Sequence, residues 1–432
     1  MYAKDELLTH NSYYTATCPP FPNQPSLKGE HTFDVCIVGA GLAGLSAALE
    51  LSTAGYKVAI IEGKRIGWGA SGRNGGQAIA GYACDQAPFE KQLGLDNAKT
   101  AFNITVEGLD LMRERIAKYN INCDWVDGYM TASVKPKSTP HLYEWADRMR
   151  DTYNYTHLQK ITPEDMSSWV ASDRYHAGVI DNNSAHLHPL KYTQGIARAA
   201  LNSGTSIFEK SVVTGVKQGI AGGNATVKTA DGQISAKFVI LAGNVYLDNI
   251  APKIANRIMP VGTYIVATEQ LDPIFANGLI KNRIAVCDNN FVLDYFRTTP
   301  DSRMLFGGRV SYSGLTPPNL PNAMRQTMLR AFPQLKHTKI EYCWGGYVDI
   351  TVNRAPDFGR MGDNIYYLQG FSGHGLILTG IAGKLAAQAI QGQAERFDLF
   401  TKLKHLPFPG GRAFRTPALV LAMAYYRLRD YL

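Results

Sequence analysis

Gly39, Gly41 and Gly44, with Glu62 eighteen residues beyond the last of them, have types and spacing that imply chemistry. Together with Leu42 and Ala43 they form a G-x-G-x-x-G pattern. At such positions Gly39 would make a tight turn, Gly41 would let the backbone approach a pyrophosphate, and Gly44 would let a helix pack closely on a strand. A helix starting at Leu42 would offer free N–H groups and the positive end of its dipole to the phosphates. A carboxylate at Glu62 would accept both hydroxyls of a ribose and would repel a 2′-phosphate. The expected ligand is a dinucleotide lacking that phosphate.

Those residues need a strand, a helix and a second strand to hold them. The apolar run Phe33-Asp34-Val35-Cys36-Ile37-Val38 suits a buried parallel strand. Leu45, Ala48, Leu49 and Leu51 then share a helical face that Gly55 closes, and Val58-Ala59-Ile60-Ile61 reads as the second strand. The order strand, glycines, helix, strand, acid within thirty residues is much more specific than glycines alone. Two further stretches carry polar chemistry on glycine-rich backbone. Residues 67–77, with Trp68, Arg73 and Asn74, cannot form a regular helix or strand and suit a backbone folded against something flat and polar. Gly370-Phe371-Ser372-Gly373-His374-Gly375 is a second strand-to-helix junction, between a strand at 365–369 and a helix over 376–390.

Other segments are scaffolding. Residues 1–32 read as an extended lead-in over the surface, and 88–120 as helix. Thr139-Pro140 and Thr162-Pro163 each look like a cap followed by proline at the first helical position. A helix is expected over 189–203, a strand over 207–216, and a hairpin from 225 through Asp231-Gly232 into a parallel strand ending at Gly243. From 261 to 309 the pattern alternates as in an antiparallel sheet, which predicts a second domain inserted into the first.

Composition excludes several classes. A net charge of +8 raises the question of nucleic acid, but no basic run exceeds two residues and no nucleic-acid module is present. No apolar run reaches about eighteen residues, so no transmembrane segment is expected. The polar N-terminus does not resemble a secretion signal, and six scattered cysteines without C-x-x-C spacing suit free thiols in a reducing, cytoplasmic setting without a metal site.

The G-x-G-x-x-G with Glu62, the Ala70-Ser71-Gly72-Arg73-Asn74-Gly75-Gly76-Gln77 loop and the 370–375 turn resemble the D-amino-acid oxidase superfamily of FAD enzymes, which includes glycine oxidase. Within it the chain is most similar to the γ-glutamylputrescine oxidases of bacterial putrescine breakdown. Ser12-Tyr13-Tyr14, Arg65-Ile66-Gly67, residues 171–175, residues 186–190, Leu293-Asp294-Tyr295 and residues 407–412 carry that match. The resemblance implies an α/β fold, a Rossmann-type FAD-binding domain (33–90, 180–260 and 350–395) with an inserted, largely antiparallel α+β substrate domain (91–179 and 261–349). The lead-in 1–32 and a tail 396–432 complete it.

By the same resemblance FAD is held non-covalently. Gly39, Gly41, Leu42, Ala43 and Gly44 would meet its pyrophosphate, Glu62 its ribose, and Val213 and Gly243 the adenine side. Arg65 would lie nearby. Ser71, Gly72, Arg73, Asn74, Gly75, Gly76 and Gln77 would run beside the flavin ring, and Gly373, His374, Gly375 and Leu376 would meet its pyrimidine edge. Cys343 lies where related sarcosine oxidases bond their flavin, yet Trp344-Gly345 is shared with non-covalent relatives. The strand 304–309 has no lysine to match their oxygen-activating residue. The catalytic candidates are His374 as an orienting group, Tyr295 and Trp344 as aromatic walls together with Tyr264, and Arg309. Arg297 or Arg309 could pair with a substrate carboxylate. Core packing remains the alternative for each aromatic residue, and packing beside a turn is preferred for His186 and His188.

The implied function is oxidation of γ-glutamylputrescine or a related amine to an aldehyde, with ammonia and hydrogen peroxide as products and molecular oxygen as partner. The alternative is a D-amino-acid or N-methyl-amine dehydrogenase feeding a quinone, docked through the apolar stretch 417–426; a flavin-holding assembly subunit without turnover is the rival from another class. A homo-oligomer contact would also explain that stretch.

Overall fold

The apolar run of residues 33–38 is the C-terminal part of a strand, Gly29–Val38, in the middle of the first of two sheets in the computed structural model. The structure describes residues 5–219, 222–290, 292–311 and 319–408, and the side chains of residues 309–311 are not among those described. In the first sheet Gly29–Val38 lies between Gly232–Leu241 and Val58–Ile61, all parallel. Ile365–Gln369 and Ser206–Phe208 extend it in parallel on the two sides, and Asp357–Met361 adds an antiparallel edge. Because these five parallel strands share a direction, their carboxyl ends and the turns at Gly39, Glu62, Ala242 and Gly370 lie along one edge, where such sheets bind ligands.

The helix Leu42–Thr53 is apolar around most of its circumference and buried on nearly all of it. Gly44 lets it lie on the strand, since a Cβ there would stand 2.1 Å from the Gly39 carbonyl oxygen. Its other side meets the C-terminal helix Gly375–Ile390 at Gly383, where a Cβ would stand 2.5 Å from the Ala43 oxygen and 2.7 Å from the Ala47 nitrogen. Ser46 Oγ donates to the Gly380 carbonyl at 2.5 Å across the same contact.

The second sheet runs in the order Ile340–Thr351, Ile258–Thr268, Met304–Ser311, Tyr295–Thr298, Ala285–Asp288, Val126–Ser133, Ala177–His186, Gln77–Ala78. It is antiparallel except where Ala285–Asp288 runs with Val126–Ser133. A mixed α/β architecture with a parallel nucleotide-side sheet and a largely antiparallel second sheet is therefore present, as expected.

Several expectations change. The lead-in is not a surface strap: Asp5, Tyr14 and Leu27 are buried, residues Tyr13–Thr17 make a helical turn, and the first strand begins at Gly29. Tyr14 is drawn in by packing edge-on to Trp344 at 5.1 Å. The helix Leu95–Lys118, expected with the substrate domain, buries its apolar face in the nucleotide-side core against the C-terminal helix, with Gly108 facing Ile381. The strand expected over 207–216 breaks into Ser206–Phe208 and Gly215–Lys217, because the buried Glu209 turns inward to accept from the Ile66 nitrogen and Lys210 takes a positive φ. Thr139 is the first residue of its helix, and Ser138 occupies the cap position. The glycine-rich stretch contains one 3-10 turn, Ala70–Gly72, and ends in the short strand Gln77–Ala78. The expected tail is partly core, since Phe397 and Phe400 of the helix Glu395–Thr401 pack on Tyr366 and Phe358. Residues 409–432, including the apolar stretch 417–426, lie outside the described residues.

The Gly383 contact makes a direct expectation. Gly383→Val should lower stability by about 1–3 kcal/mol or more through overpacking, seen as a lower thermal midpoint, whereas Gly278→Ala, with open space at its Cβ and no positive φ, should cost much less.

Candidate functional site

Two cavities open on the residues singled out by sequence. The first, about 350 Å³, lies at the carboxyl edge of the parallel sheet. Gly39, Gly41, Leu42, Ala43, Glu62, Ser71, Val213 and Gly243 all line it. The Leu42 N–H donates to Ser71 Oγ at 2.9 Å, and the other first-turn N–H groups have no intrahelical acceptor. Glu62 sits at the tip of its strand, where burial pushes its carboxyl above the ordinary range against the pull of backbone donors. Its two oxygens accept the Ala40 and Lys64 N–H groups, each at 2.8 Å. Each oxygen keeps a lone pair for a ribose hydroxyl. This donor set, free helix N–H groups beside a carboxylate, fits a dinucleotide with a pyrophosphate and an unphosphorylated ribose.

Other expected cofactor contacts sit elsewhere. Arg65 is exposed and reaches back to the Phe21 carbonyl at 3.4 Å. Arg73 is buried in a bidentate pair with Asp5 at 2.8 and 3.0 Å, stacked 4.6 Å from Trp68, and so clamps the N-terminal segment. Gly44 and Gly72 are packing glycines, each facing a carbonyl oxygen closer than a Cβ would tolerate. Leu376 is core. Asn74 makes its own turn rigid, donating to Ala70 and Ser71 carbonyls and accepting from the Gly76 N–H at 2.9 Å. Gln77 Nε2 donates to the Val286 carbonyl at 3.3 Å, tying the loop to the second sheet.

The aromatic candidates divide. Trp344 and Tyr264 are core residues; Trp344 Nε1 donates to the Arg73 carbonyl at 3.0 Å, and neither lines either cavity. Their expected role as walls is thus replaced by packing, because each lies in a strand pressed between core layers. Tyr295 lies across the glycine loop, so close that a Cβ on Gly75 would touch its ring at 2.7 Å. Arg297 is buried and braces the same loop, its Nε donating to the Gly75 carbonyl at 3.0 Å and Nη2 to the Leu187 carbonyl at 3.0 Å and Tyr14 Oη at 3.1 Å. The strand holding Arg309 is in the sheet, but its side chain is outside the described set.

Gly373 and Gly375 flank His374 at the start of the C-terminal helix, and His374 lines the second cavity, of about 210 Å³. Burial, and then Arg354, lower its imidazole pKa to about 4, so it is neutral near pH 7. His186 and His188 are structural. His186 Nε2 donates to the Arg283 carbonyl at 2.7 Å, and His188 accepts the Lys191 N–H at 3.2 Å as a helix cap. Burial, then nearby cations, lower both, His188 to about 3.

Sequence reasoning did not find three groups. The segment 245–250 completes the first cavity, which Trp68 of the glycine loop also lines. Arg283 keeps Nε and Nη2 buried without a hydrogen-bond partner, and burial plus the neighbouring Arg297 lower its pKa. Asp181 carries a buried carboxylate on the second cavity. The strand ending at Gly243, expected on the adenine side, leads into that segment; nothing local marks Arg283 or Asp181.

With this geometry in place, comparison with known proteins defines the class. The model of the FAD dependent oxidoreductase family matches residues 34–389, and the chain belongs to that family. Its cofactor is FAD. The chain is 42% identical over 423 residues to the γ-glutamylputrescine oxidoreductase of Escherichia coli, covering 98% of each. It is 41% identical to a probable oxidoreductase of Haemophilus influenzae, over 97% of this chain and 96% of that one. Glycine oxidase from Geobacillus kaustophilus shares the fold with a TM-score of 0.71 at 17% identity, covering 84% of this chain and 95% of the other. L-proline dehydrogenase from P. horikoshii does so with a TM-score of 0.70 at 22% identity, covering 85% and 96%. Among the described residues no helix is long and apolar enough to cross a membrane.

Two outcomes test the cofactor site. Glu62→Gln should weaken FAD retention by about 1.5–3 kcal/mol through loss of charge-assisted hydrogen bonds; an unchanged dissociation constant would remove Glu62 from the site. Acid precipitation should release the flavin, because Cys343 lines neither cavity and burial raises its thiol to about 11.

Proposed function

We propose that the protein is an FAD-dependent amine oxidase that converts γ-glutamylputrescine, or an amine of that class, to the corresponding aldehyde. The carrying observation is the 42% identity over 98% of both chains to the E. coli γ-glutamylputrescine oxidoreductase. The reaction balances as amine, dioxygen and water giving aldehyde, ammonia and hydrogen peroxide. FAD, when bound, takes two electrons from the substrate's C–N unit and passes them to dioxygen.

The chain's own residues bind and align. Gly39 to Gly44 and the helix N-terminus would hold the pyrophosphate, Glu62 the ribose, and Val213 and Gly243 the adenine side. Residues 71–77 would border the flavin ring, kept rigid by Asn74, by Tyr295 lying on Gly75 and by Arg297 bracing the Gly75 carbonyl. His374, neutral at working pH, orients and does not store a proton. The amine must therefore arrive deprotonated or lose its proton to solvent, and activity should rise with pH as the substrate amine titrates.

Arg283, with Nε and Nη2 unpartnered, is the better candidate for pairing with a substrate carboxylate than Arg297, whose Nε and Nη2 are already engaged. A γ-glutamyl head brings a carboxylate to it; free putrescine would leave it facing a cation, a repulsive and desolvated arrangement. γ-Glutamylputrescine is expected to exceed putrescine in kcat/KM by at least about a hundredfold, roughly 2.7 kcal/mol, and Arg283→Ala should erase most of that ratio. Sarcosine, glycine and D-alanine should be poor. Amine-dependent peroxide release in air is the assay. Equal turnover of putrescine, or preference for a small amino acid, would overturn the substrate while leaving an FAD oxidase. Reduction of the flavin without peroxide would point to a quinone acceptor.

A further inference from the structure

In a chain of net charge +8, the second cavity is lined by no lysine or arginine but by two carboxylates, Asp181 and the exposed Asp85. Tyr82, Phe102, Tyr129, Trp145 and Tyr155 are among the residues that line it. They come from four separate parts of the chain: the segment after Gln77–Ala78, the helices Leu95–Lys118 and Thr139–Tyr153, and the strand Val126–Ser133, with Tyr155 just beyond the second helix. His374 lines the same cavity, which links it to the turn at the head of the C-terminal helix.

Asp181 is 6% exposed and its donors are all neutral. Tyr155 Oη donates to both oxygens at 2.8 and 2.9 Å, Ser184 Oγ to Oδ2 at 2.5 Å, and the Asn183 and Ser184 N–H groups to Oδ1 at 3.0 and 3.3 Å. Among the described residues it forms no ion pair. Arg113 reaches the neighbouring Asn183 but pairs with Asp110 and Asp127. Those neutral donors satisfy the hydrogen bonds of the carboxylate but leave its charge without a counter-ion, and aromatic rings are the side chains that hold organic cations. A cation in the cavity would meet both.

The geometry points to this cavity as the amine-binding part of the substrate site, where an alkylammonium is captured by aromatic faces with Asp181 as counter-charge and Asp85 at the solvent side. The inference rests on the amine-oxidase reading and assigns that reading's substrate end. It is consistent with Arg283 as the anion site. Arg283 is bonded through its carbonyl to His186, and Asp181 lies on the same strand; the cross-strand partners of His186 and Asp181, Val126 and Tyr129, are three residues apart, about 10 Å. A long molecule with an anionic head and an amine end could reach from one toward the other. Tyr155, held by its bond to Asp181, is a positioning residue for that carboxylate. The other titratable groups facing the cavity are Tyr82, Cys84, Tyr129 and the neutral His374.

Choline and its uncharged isostere 3,3-dimethylbutan-1-ol provide a probe of charge that needs no turnover. Calorimetry on FAD-loaded protein should show choline binding at least about tenfold tighter than the isostere, with Asp181→Asn and Trp145→Leu each removing most of that preference. In turnover, Asp181→Asn should raise KM for the amine and move the rising limb of the kcat–pH profile to lower pH. The sign follows from Asp181 stabilising the ammonium: its loss lowers the bound amine's pKa, so the reactive neutral form appears earlier. A purely structural role would leave that limb in place. Equal binding of the two probes by the wild type, or retained preference in both variants, overturns the cavity assignment even if amines are oxidised. If no amine is oxidised at all, it is the amine-oxidase reading that fails. Should Asp181→Asn lose its flavin, Trp145→Leu alone decides.

Discussion

One helix fits so closely between its neighbours that two side chains cannot exist there. Leu42–Thr53 lies on the first strand through Gly44 and under the C-terminal helix through Gly383, and at both points a single Cβ would intrude on backbone. That double contact fixes the height of the helix above the sheet. It thereby sets where the N–H groups of the first turn open beside Glu62. It also ties the late turn at 370–375 to the early glycine motif, so residues more than three hundred apart form one edge. Close-packed interiors transmit such constraints with little give.

The glycine loop of residues 67–77 is held from both sides by charge rather than by regular structure. Arg73 is anchored outward to the buried Asp5, and Arg297 grips the Gly75 carbonyl from the second sheet. The buried Arg73–Asp5 pair has little net worth as stability, since desolvation offsets much of its attraction. What it provides is position: the N-terminal segment, the loop and Tyr246 are locked into one arrangement. A flat ligand set beside the loop would find its backbone already placed, so less ordering entropy is lost on binding.

Charge is sorted locally in a way that the net value hides. The chain is basic overall, yet the cavity beside His374 carries only acids, while Arg283 and Arg297 place two cations together near the other end of the strand Ala177–His186. Asp181 accepts only neutral donors and Arg283 keeps Nε and Nη2 without a partner, so each cluster leaves one charge without a counter-ion. Burial first, then Arg297 and Arg283 at His186 and Lys191 and Arg297 at His188, keeps both histidines neutral near pH 7.

The sequence by itself determined the nucleotide-side architecture. The glycine motif, its strands, Glu62, the hairpin into Gly243 and the turn before the C-terminal helix are each dictated by patterns within about thirty residues, where periodicity and backbone geometry act directly. Gly39, Gly41, Leu42, Ala43, Glu62, Ser71, Val213 and Gly243 come together around one cavity at that edge. Only the tertiary structure decided the rest. Trp344 and Tyr264 became core, Arg73 turned to Asp5, and the lead-in was buried, because an aromatic or charged side chain takes its role from partners brought in across the chain. Asp181 and Arg283 show the same limit from the other side. Nothing in their neighbours in sequence distinguishes them, since a charge without a counter-ion is defined by what the fold fails to place beside it.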